Sequence, residues 1–343
     1  MSENVLYFWL ITNEFPERGM DTDIRNQLLA DIATLYFKEK KTQEEIAQIS
    51  GYSRSAISRF LSEAEQQGVV EFIIKYPLLR DNYLENRLKE RYGLESAFVI
   101  NSGLTDHDHN LELVGRQGAN YFQKLLRDDL TISIGWGSSL YALVSALPFF
   151  PLENTRVVQV IGAVGAKSDR RVDGPDIASF LANKLSATHH YLPSPAFLDS
   201  ENATRLLKKV PQIQETLEIA YQSDIALLGV GTIEVDPYFS SIYRTGFLGE
   251  EDINQIQKQG GVCNFCGVIL DANGVILDID INKRSMSADI QKIRSSGCKI
   301  VGIAASAKKT KAIEAVLNGN WLDALITDKN AISPIFQKQN LEV

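Results

Sequence analysis

The chain is poor in the residue types that most often carry out catalysis or form cross-links. It contains 3 cysteines, 4 histidines and 3 methionines in 343 residues. Three cysteines cannot form a disulfide framework, so we expect an intracellular, cytoplasmic protein. The formal net charge is −8, which gives no global attraction to nucleic acid or to an anionic membrane. Any contact with DNA must therefore come from a local patch.

A long apolar run of the kind that crosses a bilayer is also missing. The longest early run, residues 5–11, is too short for that and lacks a basic flank, so we expect neither a membrane span nor secretion. The rest of the composition, 44% hydrophobic and 23% charged, is typical of globular proteins. A chain of this length can form two or three domains with a sizeable main core.

The first periodic segments predict three helices. Apolar residues recur at helical spacing over residues 24–37. Thr42 begins a capping-box pattern for a second short helix, and Ser53 is a suitable N-cap for a third, which ends at Gly68. Residues 69–74 have the pattern of a strand. Three helices with a tight glycine turn between the last two, followed by a strand, predict a winged helix-turn-helix.

The third helix places polar side chains opposite its apolar face. Residues 53–62 contain two arginines and no acidic residue, whereas residues 21–76 as a whole hold more acidic than basic residues. Hydroxyls and arginines on one face suit phosphate contacts and base recognition in a major groove, although an ordinary solvated helix shows the same polarity. The candidate DNA-contacting residues are Thr42, Gln43, Ser53, Arg54, Ser55, Ser58, Arg59 and Ser62.

After a charged amphipathic helix at residues 79–92, strands alternate with helices. This alternation predicts an α/β, doubly wound and mostly parallel sheet that is covered on both faces. The predicted strands are 97–100, 131–134, 157–161, 225–229, 299–304 and 325–327. The predicted helices are 111–126, 140–147, 177–185, 203–221 and 309–317.

Small residues follow four of these strands. The clearest case is "ISIGWGSSLYAL" at residues 132–143, where glycines, serines and a helix start could surround a phosphate. Loops at the carboxyl ends of parallel strands converge on one crevice, so the four loops together indicate a small polar or phosphorylated ligand. The candidate ligand-binding residues are Gly135, Gly137, Ser138, Ser139, Gly165, Gly231, Asn264 and Lys309.

Two groups of residues have metal or redox spacing, but their contexts favour simpler interpretations. His107 and His109 alternate with acidic residues, which we interpret as a hydrated loop because nothing nearby completes a ligand set. Cys263 and Cys266 are in an apolar, strand-like stretch and not at a helix start, which argues against redox or metal chemistry. We therefore expect no metal and no cofactor.

An acid–base pair is equally hard to place. His189 and His190 fall where a strand is expected, with one of them facing solvent, and Asp278 and Asp280 have the alternation of a polar strand face. Asp271 in "LDANG" is the best carboxylate for an enzyme, but this sequence is also an ordinary turn. The pattern favours a binding site over catalysis.

The motifs taken together resemble those of the SorC/DeoR-type bacterial transcriptional regulators. The resemblance runs from about residue 25 to residue 332. It is carried by the head "LLADIATLYFKEKKTQEEIAQISGYSRSAISRFLSEAEQQGVVEFII" and, in order, by "ISIGWGSSLYAL", "VVQVIGAVGA", "HHYLPSPAF", "DIALLGVGT", "KIVGIAASAKKTKAI" and "ALITDKNA".

The resemblance implies a DNA-binding head and an effector domain related to glucosamine-6-phosphate deaminase and ribose-5-phosphate isomerase, with the catalysis lost. It implies three partners: operator DNA, a sugar or phosphosugar, and further copies of the chain in a dimer or tetramer. Two departures stand out, Cys263-Asn264 where similar proteins usually have Gly-Asp, and residues 304–307 where they have glycines. Because Asn264 carries no charge, the preferred ligand is expected to differ.

The sequence thus predicts a regulator of carbohydrate uptake or catabolism that is switched by its ligand. The alternatives are a sugar-phosphate isomerase or deaminase with an appended DNA-binding head, and an effector domain that serves only oligomerisation. The predicted domains are an extension of unknown role at 1–19, the winged helix-turn-helix at 20–76, a linker helix at 77–94 and the effector and oligomerisation domain at 95–343.

Overall fold

The computed structural model describes residues 22–70, 77–103, 106–165, 173–233, 242 and 246–337. The chain divides into two compact units, Met1–Tyr76 and Pro77–Val343. No helix among the described residues is long and apolar enough to cross a bilayer.

Three helices form the described part of the first unit. They are α1 (Thr22–Ala33), which continues as a π-helical turn (Thr34–Lys38), α2 (Gln43–Ser50) and α3 (Arg54–Gln66). The predicted caps are confirmed: Thr42 forms a capping box with Glu45, and the Ser53 hydroxyl accepts a hydrogen bond from the backbone N–H of Ala56. The turn between α2 and α3 contains Gly51 at φ 73°, a conformation that glycine adopts at no steric cost.

An apolar core holds these helices together, with Leu29, Ile46 and Ile57 fully buried in it. A two-point ion pair between Arg25 and Glu63 ties α1 to α3. The predicted strand at residues 69–74, which would form the wing, falls mostly on residues that lie outside the described ones.

The second unit contains a sheet of nine strands within the described residues. They are β1 (Ser96–Ile100), β2 (Thr131–Ile134), β3 (Arg156–Gln159), β4 (Thr188–His190), β5 (Ile225–Thr232), β6 (Gly261–Phe265), β7 (Val268–Asp271), β8 (Lys299–Ile303) and β9 (Ala324–Asp328). Seven of them are parallel neighbours in the order β1-β9-β8-β5-β2-β3-β4. The hairpin β6–β7 pairs antiparallel with the end of β5.

The central parallel strands β2, β5, β8 and β9 are buried on both faces along most of their length, as their largely apolar sequences predict. Along β5, Ile225 and Leu227 belong to one apolar cluster, and Ala226 and Leu228 belong to the other. After β2 the chain continues to β3 and β4 on one side, whereas after β5 it continues to β8 and β9 on the other. The strand order therefore reverses between β2 and β5, which is where such sheets bind ligands.

Helices connect most of these strands. Their bounds are α4 (Asn82–Tyr92), α5 (His107–Gln123), α6 (Ser138–Ala146), α7 (Gly174–Leu185), α8 (Glu201–Leu207), α9 (Pro211–Tyr221), α10 (Glu250–Lys258), α11 (Asp280–Lys283), α12 (Ile290–Ser295), α13 (Thr310–Asn318) and α14 (Lys329–Gln337). Helix α4, which covers the segment predicted as a linker, packs on β1 within the second unit and buries Leu84 and Leu88 there.

Three predictions of local structure are wrong. The helix predicted at 203–221 is two helices, because Pro211 has no N–H to donate and starts α9 as a new first turn. The hydrated loop predicted around His107 is the first turn of α5, which Asp106 caps. The strand predicted around Asp278 is irregular, and Asp280 begins the short helix α11 instead.

Candidate functional site

A pocket lies at the carboxyl ends of β2 and β5, where the strand order reverses. Its described lining consists of Trp136, Gly137, Ser138, Ser139, Gly229, Val230, Gly231, Thr232, Ile242, Asn264 and Lys309. Six of the eight predicted ligand residues are in this lining, and the other two, Gly135 and Gly165, are not. The loops after β2 and β8 and the last four residues of β5 therefore meet here, whereas the loop after β3, which was also predicted, is absent from the described lining.

The loop after β2 is shaped by Gly137. This residue is the N-cap of α6, with φ 111° and ψ 160°, a region of backbone space that is essentially restricted to glycine. The first N–H groups of a helix have no partner inside it, and together with the helix dipole they favour an anion at this position. The amide groups of Ser138 and Ser139 begin α6 in the pocket wall.

Two buried side chains in the lining have unused hydrogen-bonding capacity. Ser139 is 3% exposed and Asn264 is 5% exposed, and neither Ser139 Oγ nor Asn264 Nδ2 has a hydrogen-bond partner within the described part of the chain. A buried polar atom without a partner is costly. A polar ligand in the pocket would supply both partners.

The hairpin β6–β7 supplies Asn264, which pairs with Gly231 in the antiparallel register. A Cβ atom added at Gly231 would lie 3.2 Å from the backbone oxygen of Asn264. Glycine at this position therefore allows β6 to approach β5 closely, and it brings the Asn264 amide to the pocket.

Lys309 contributes the cationic group of the pocket lining. It is 8% exposed, ends a short 3₁₀ turn (Ala307–Lys309) and immediately precedes α13. Ser306 shapes this turn at φ 105° and donates its N–H to Asp328 Oδ1 at 2.8 Å. Burial raises the pKa of Asp328, and Lys309 opposes that shift. The positive charge of Lys309 thus acts both on the pocket and on the Asp328 carboxyl group at the end of β9.

The two glycines outside the lining have other partners or positions. The N–H of Gly135 donates to the Leu227 carbonyl at 3.0 Å, which extends the ladder between β2 and β5. The N–H of Gly165 donates to the Asp173 carboxylate at 3.2 Å. The Asp173 carboxylate therefore accepts the backbone N–H of Gly165 that was expected to bind an anionic ligand.

The residues considered for enzyme, metal or redox chemistry have structural roles. Asp271 Oδ1 accepts hydrogen bonds from the N–H groups of Asn273 and Val275, which confirms the turn interpretation. Both Cys263 and Cys266 are free thiols, and burial raises the pKa of each, that of Cys266 to about 12. Within the described ranges, no group of three or more His, Cys, Asp or Glu side chains could hold a metal ion.

The predicted DNA-contacting residues lie on the first unit. Helix α3 buries its apolar residues and leaves Arg54, Ser55, Ser58, Arg59 and Ser62 exposed on the opposite side. Ser53 and Thr42 are exposed at the two helix starts, where both act as caps, and Gln43 is half-buried. This two-sided pattern agrees with the periodicity of the sequence.

A groove beside these residues adds cations that the sequence analysis did not single out. Its described lining consists of Tyr36, Phe37, Lys40, Lys41, Thr42, Gln43, Glu44 and Arg54. Lys40 and Lys41 are brought there by the π-helical turn and by the left-handed conformation of Lys40, at φ 60°. In the ligand pocket, Trp136 was likewise missed, although it lies between two of the predicted glycines.

Comparisons with known proteins agree with this architecture. Residues 76–337 match the family model described as "Putative sugar-binding domain". The chain is 28% identical to the deoxyribonucleoside regulator of Bacillus subtilis (strain 168) over 306 residues, which cover 89% of this chain and 96% of that protein. It is also 28% identical to the sorbitol operon regulator of Klebsiella pneumoniae over 313 residues, which cover 90% of this chain and 96% of that protein.

The solved structures give the same result for the fold. The crystal structure of the full-length sorbitol operon regulator SorC from Klebsiella pneumoniae superposes with a TM-score of 0.68 at 26% identity, covering 90% of this chain and 98% of that one. The relatives are transcriptional regulators and not enzymes. This confirms the regulator interpretation over the isomerase or deaminase alternative.

Proposed function

Because the chain belongs to the SorC/DeoR family of transcriptional regulators that carry a sugar-binding domain, we propose that a phosphorylated sugar in the pocket between β2 and β5 controls its binding to operator DNA. The observation that carries this proposal is the joint placement of the α6 start, Ser139, Asn264 and Lys309 around one pocket. These groups provide hydrogen-bond donors and a cation, the chemistry that recognises a phosphate.

The DNA-contacting element is the exposed face of α3, within a winged helix-turn-helix at residues 20–76. Arg54 and Arg59 project from this face without an acidic residue between them. The hydroxyls of Ser55, Ser58 and Ser62 are suited to contacts with phosphates or base edges. Lys40 and Lys41 in the neighbouring groove would add phosphate contacts, which are independent of DNA sequence and sensitive to salt.

We further propose that the second unit, an effector domain with the doubly wound fold of the sugar-phosphate isomerases, assembles the chain into a dimer or tetramer. Two heads related by symmetry would contact two half-sites of an operator. A ligand that binds the DNA-competent and DNA-incompetent states with different affinities shifts their populations. Two relatives named above are a deoxyribonucleoside regulator and a sorbitol operon regulator, which supports carbohydrate uptake or catabolism as the controlled process.

The DNA half of this proposal is tested by fluorescence anisotropy with DNA from the upstream region of the gene's own operon. Arg59→Ala should weaken specific binding by about 5- to 150-fold, because one arginine contact with a base contributes about 1–3 kcal/mol. Arg205→Ala, an exposed arginine on α8 of the second unit, is the matched control and should bind like the unchanged protein. Equal affinities for all three proteins would contradict the assignment of α3.

The ligand half is tested by thermal unfolding of the full chain with sugars and sugar phosphates. A compound that binds the native state raises the melting temperature by mass action. The shift should disappear in Ser138→Ala/Ser139→Ala and persist in Ser295→Ala, an exposed serine at the end of α12. A compound that stabilises the protein should also change its affinity for operator DNA. Shifts from free sugars alone would show that the loop after β2 is not a phosphate site.

A further inference from the structure

The described lining of the ligand pocket carries a positive charge and no negative one. Its described lining contains one cation, Lys309, and no aspartate or glutamate. A sugar hydroxyl donates a hydrogen bond as well as accepting one, and an ionised carboxylate is the strongest side-chain acceptor for it. The described lining has no carboxylate for a hydroxyl to donate to.

The donors lie on two different elements. The α6 start provides backbone N–H groups and Ser139 on one side. Asn264 is on β6, in the hairpin that extends from the end of β5, and its Nδ2 is buried without a partner among the described residues. Two separate sets of donors in one pocket suit a ligand with two acceptor groups, one for each set.

One buried carboxyl group, that of Asp328, interacts electrostatically with Lys309. It does not add a negative charge to the described lining of the pocket. Asp328 is the last residue of β9, is 1% exposed and is absent from the described pocket lining. One of its oxygens accepts the N–H of Ser306 at 2.8 Å, so it supports the loop after β8 from behind. Burial raises the pKa of Asp328, whereas the hydrogen bond from Ser306 and the charge of Lys309 lower it.

We propose that the ligand is an oxidised, acidic sugar phosphate, whose phosphate binds at the α6 start and whose carboxylate accepts the Asn264 amide. This inference rests on the proposed function, since it assumes a phosphorylated ligand in the same pocket. An aspartate at position 264 would repel a carboxylate and would instead accept a hydroxyl. The neutral Asn264 is thus the residue that selects an acid over the corresponding alcohol.

The test uses pairs of compounds that differ only in one terminal group, a carboxylate in one and a hydroxymethyl in the other. Suitable pairs are 4-phosphoerythronate with erythritol 4-phosphate, 5-phosphoribonate with ribitol 5-phosphate, and 6-phosphogluconate with glucitol 6-phosphate. Isothermal titration calorimetry of the full chain should show, for at least one pair, a Kd about tenfold or more lower for the acid.

Asn264→Asp should reverse this preference, because it keeps the shape of the side chain but replaces the donor with a charged acceptor. Asn202→Asp adds the same charge at an exposed position in the first turn of α8 and should leave the preference unchanged. Thermal unfolding without ligand checks that Asn264→Asp is folded, and retained binding of the alcohol gives a second check on the pocket.

The possible outcomes separate this inference from the proposed function. Preference for the acid that is reversed by Asn264→Asp supports both. Equal binding of acid and alcohol, or a preference that Asn264→Asp does not alter, overturns the acidic ligand while a phosphosugar site stands. If none of the six compounds binds and inorganic phosphate does not bind either, the phosphate site itself is refuted and this inference with it.

Discussion

Gly137 has backbone angles, φ 111° and ψ 160°, that residues with a side chain rarely adopt. It lies between Trp136 and the first helical residue of α6, so its conformation decides where the helix starts and where the first N–H groups lie. Gly135, two residues earlier, has no such constraint, and a Cβ atom there would make ordinary contacts, 3.5 Å or more from the nearest side-chain atoms. Of the two glycines of "GWGSS", only Gly137 is therefore required by its backbone conformation.

We predict that Gly137→Ala destabilises the second unit by about 1–3 kcal/mol, the usual range for a strained backbone conformation. Gly135→Ala should cost less than about 1 kcal/mol, since it fits the space and the backbone. Urea unfolding of both variants, followed by tryptophan fluorescence, compares the two costs. Equal stability of the two variants would show that the loop after β2 tolerates a side chain at Gly137.

Among the described strands, β4 is held by few backbone hydrogen bonds, because it is three residues long and pairs only with β3 at one edge of the described sheet. It carries His189 and His190, whose Nε2 atoms are buried without a hydrogen-bond partner among the described residues. Burial lowers the pKa of both histidines, with His190 adding to the effect on His189 and Arg156 adding to the effect on His190. In the native state both imidazoles therefore resist protonation.

This arrangement makes the protein less stable in acid. A histidine whose native pKa lies below its ordinary value of 6.5 takes up a proton more readily in the unfolded chain, so stability falls as the pH decreases through and below 6.5. The melting temperature of His189→Gln/His190→Gln should decrease less between pH 7.5 and pH 5.5 than that of the unchanged protein. His109→Gln, on α5, is the control for removing a histidine elsewhere. The same decrease in all three proteins would rule out β4 as the acid-sensitive element.

At the scale of the whole molecule, the chain forms two units with separate apolar cores. The first unit packs its helices around Leu29, Ile46 and Ile57, and the second has one apolar cluster on each face of its sheet. Each core is complete within its own part of the chain. Such units are expected to fold independently.

We therefore predict that residues 77–343, produced alone, unfold in one cooperative thermal transition. The fragment should show the same ligand-induced increase in melting temperature as the full chain, because every described pocket residue lies within it. It should not bind operator DNA, because α3 is absent. A fragment that gives no cooperative transition would show that the first unit is needed for the second to fold.

Much of the ligand pocket could be predicted from the sequence because its parts follow apolar strands. Small residues after β2 and β8 and in the last part of β5 are visible as breaks in apolar runs, and the carboxyl ends of parallel strands lie along one edge of a sheet. The loop after β3 has the same signature, yet Asp173 satisfies the amide of its Gly165. No local pattern distinguishes an amide that binds a ligand from one that binds a distant carboxylate of the same chain.

The helix caps, most of the helical periods and the positions of the parallel strands along the chain were determined by the sequence itself, because these depend on neighbouring residues and on a short repeat. The tertiary structure alone decided that β6 and β7 form a hairpin against β5, that Asn264 and Ser139 share one pocket, and that Lys40 and Lys41 join a groove with Arg54. These are contacts between segments that lie apart in the chain. Their formation depends on how whole elements pack, and local propensity carries no information about that packing.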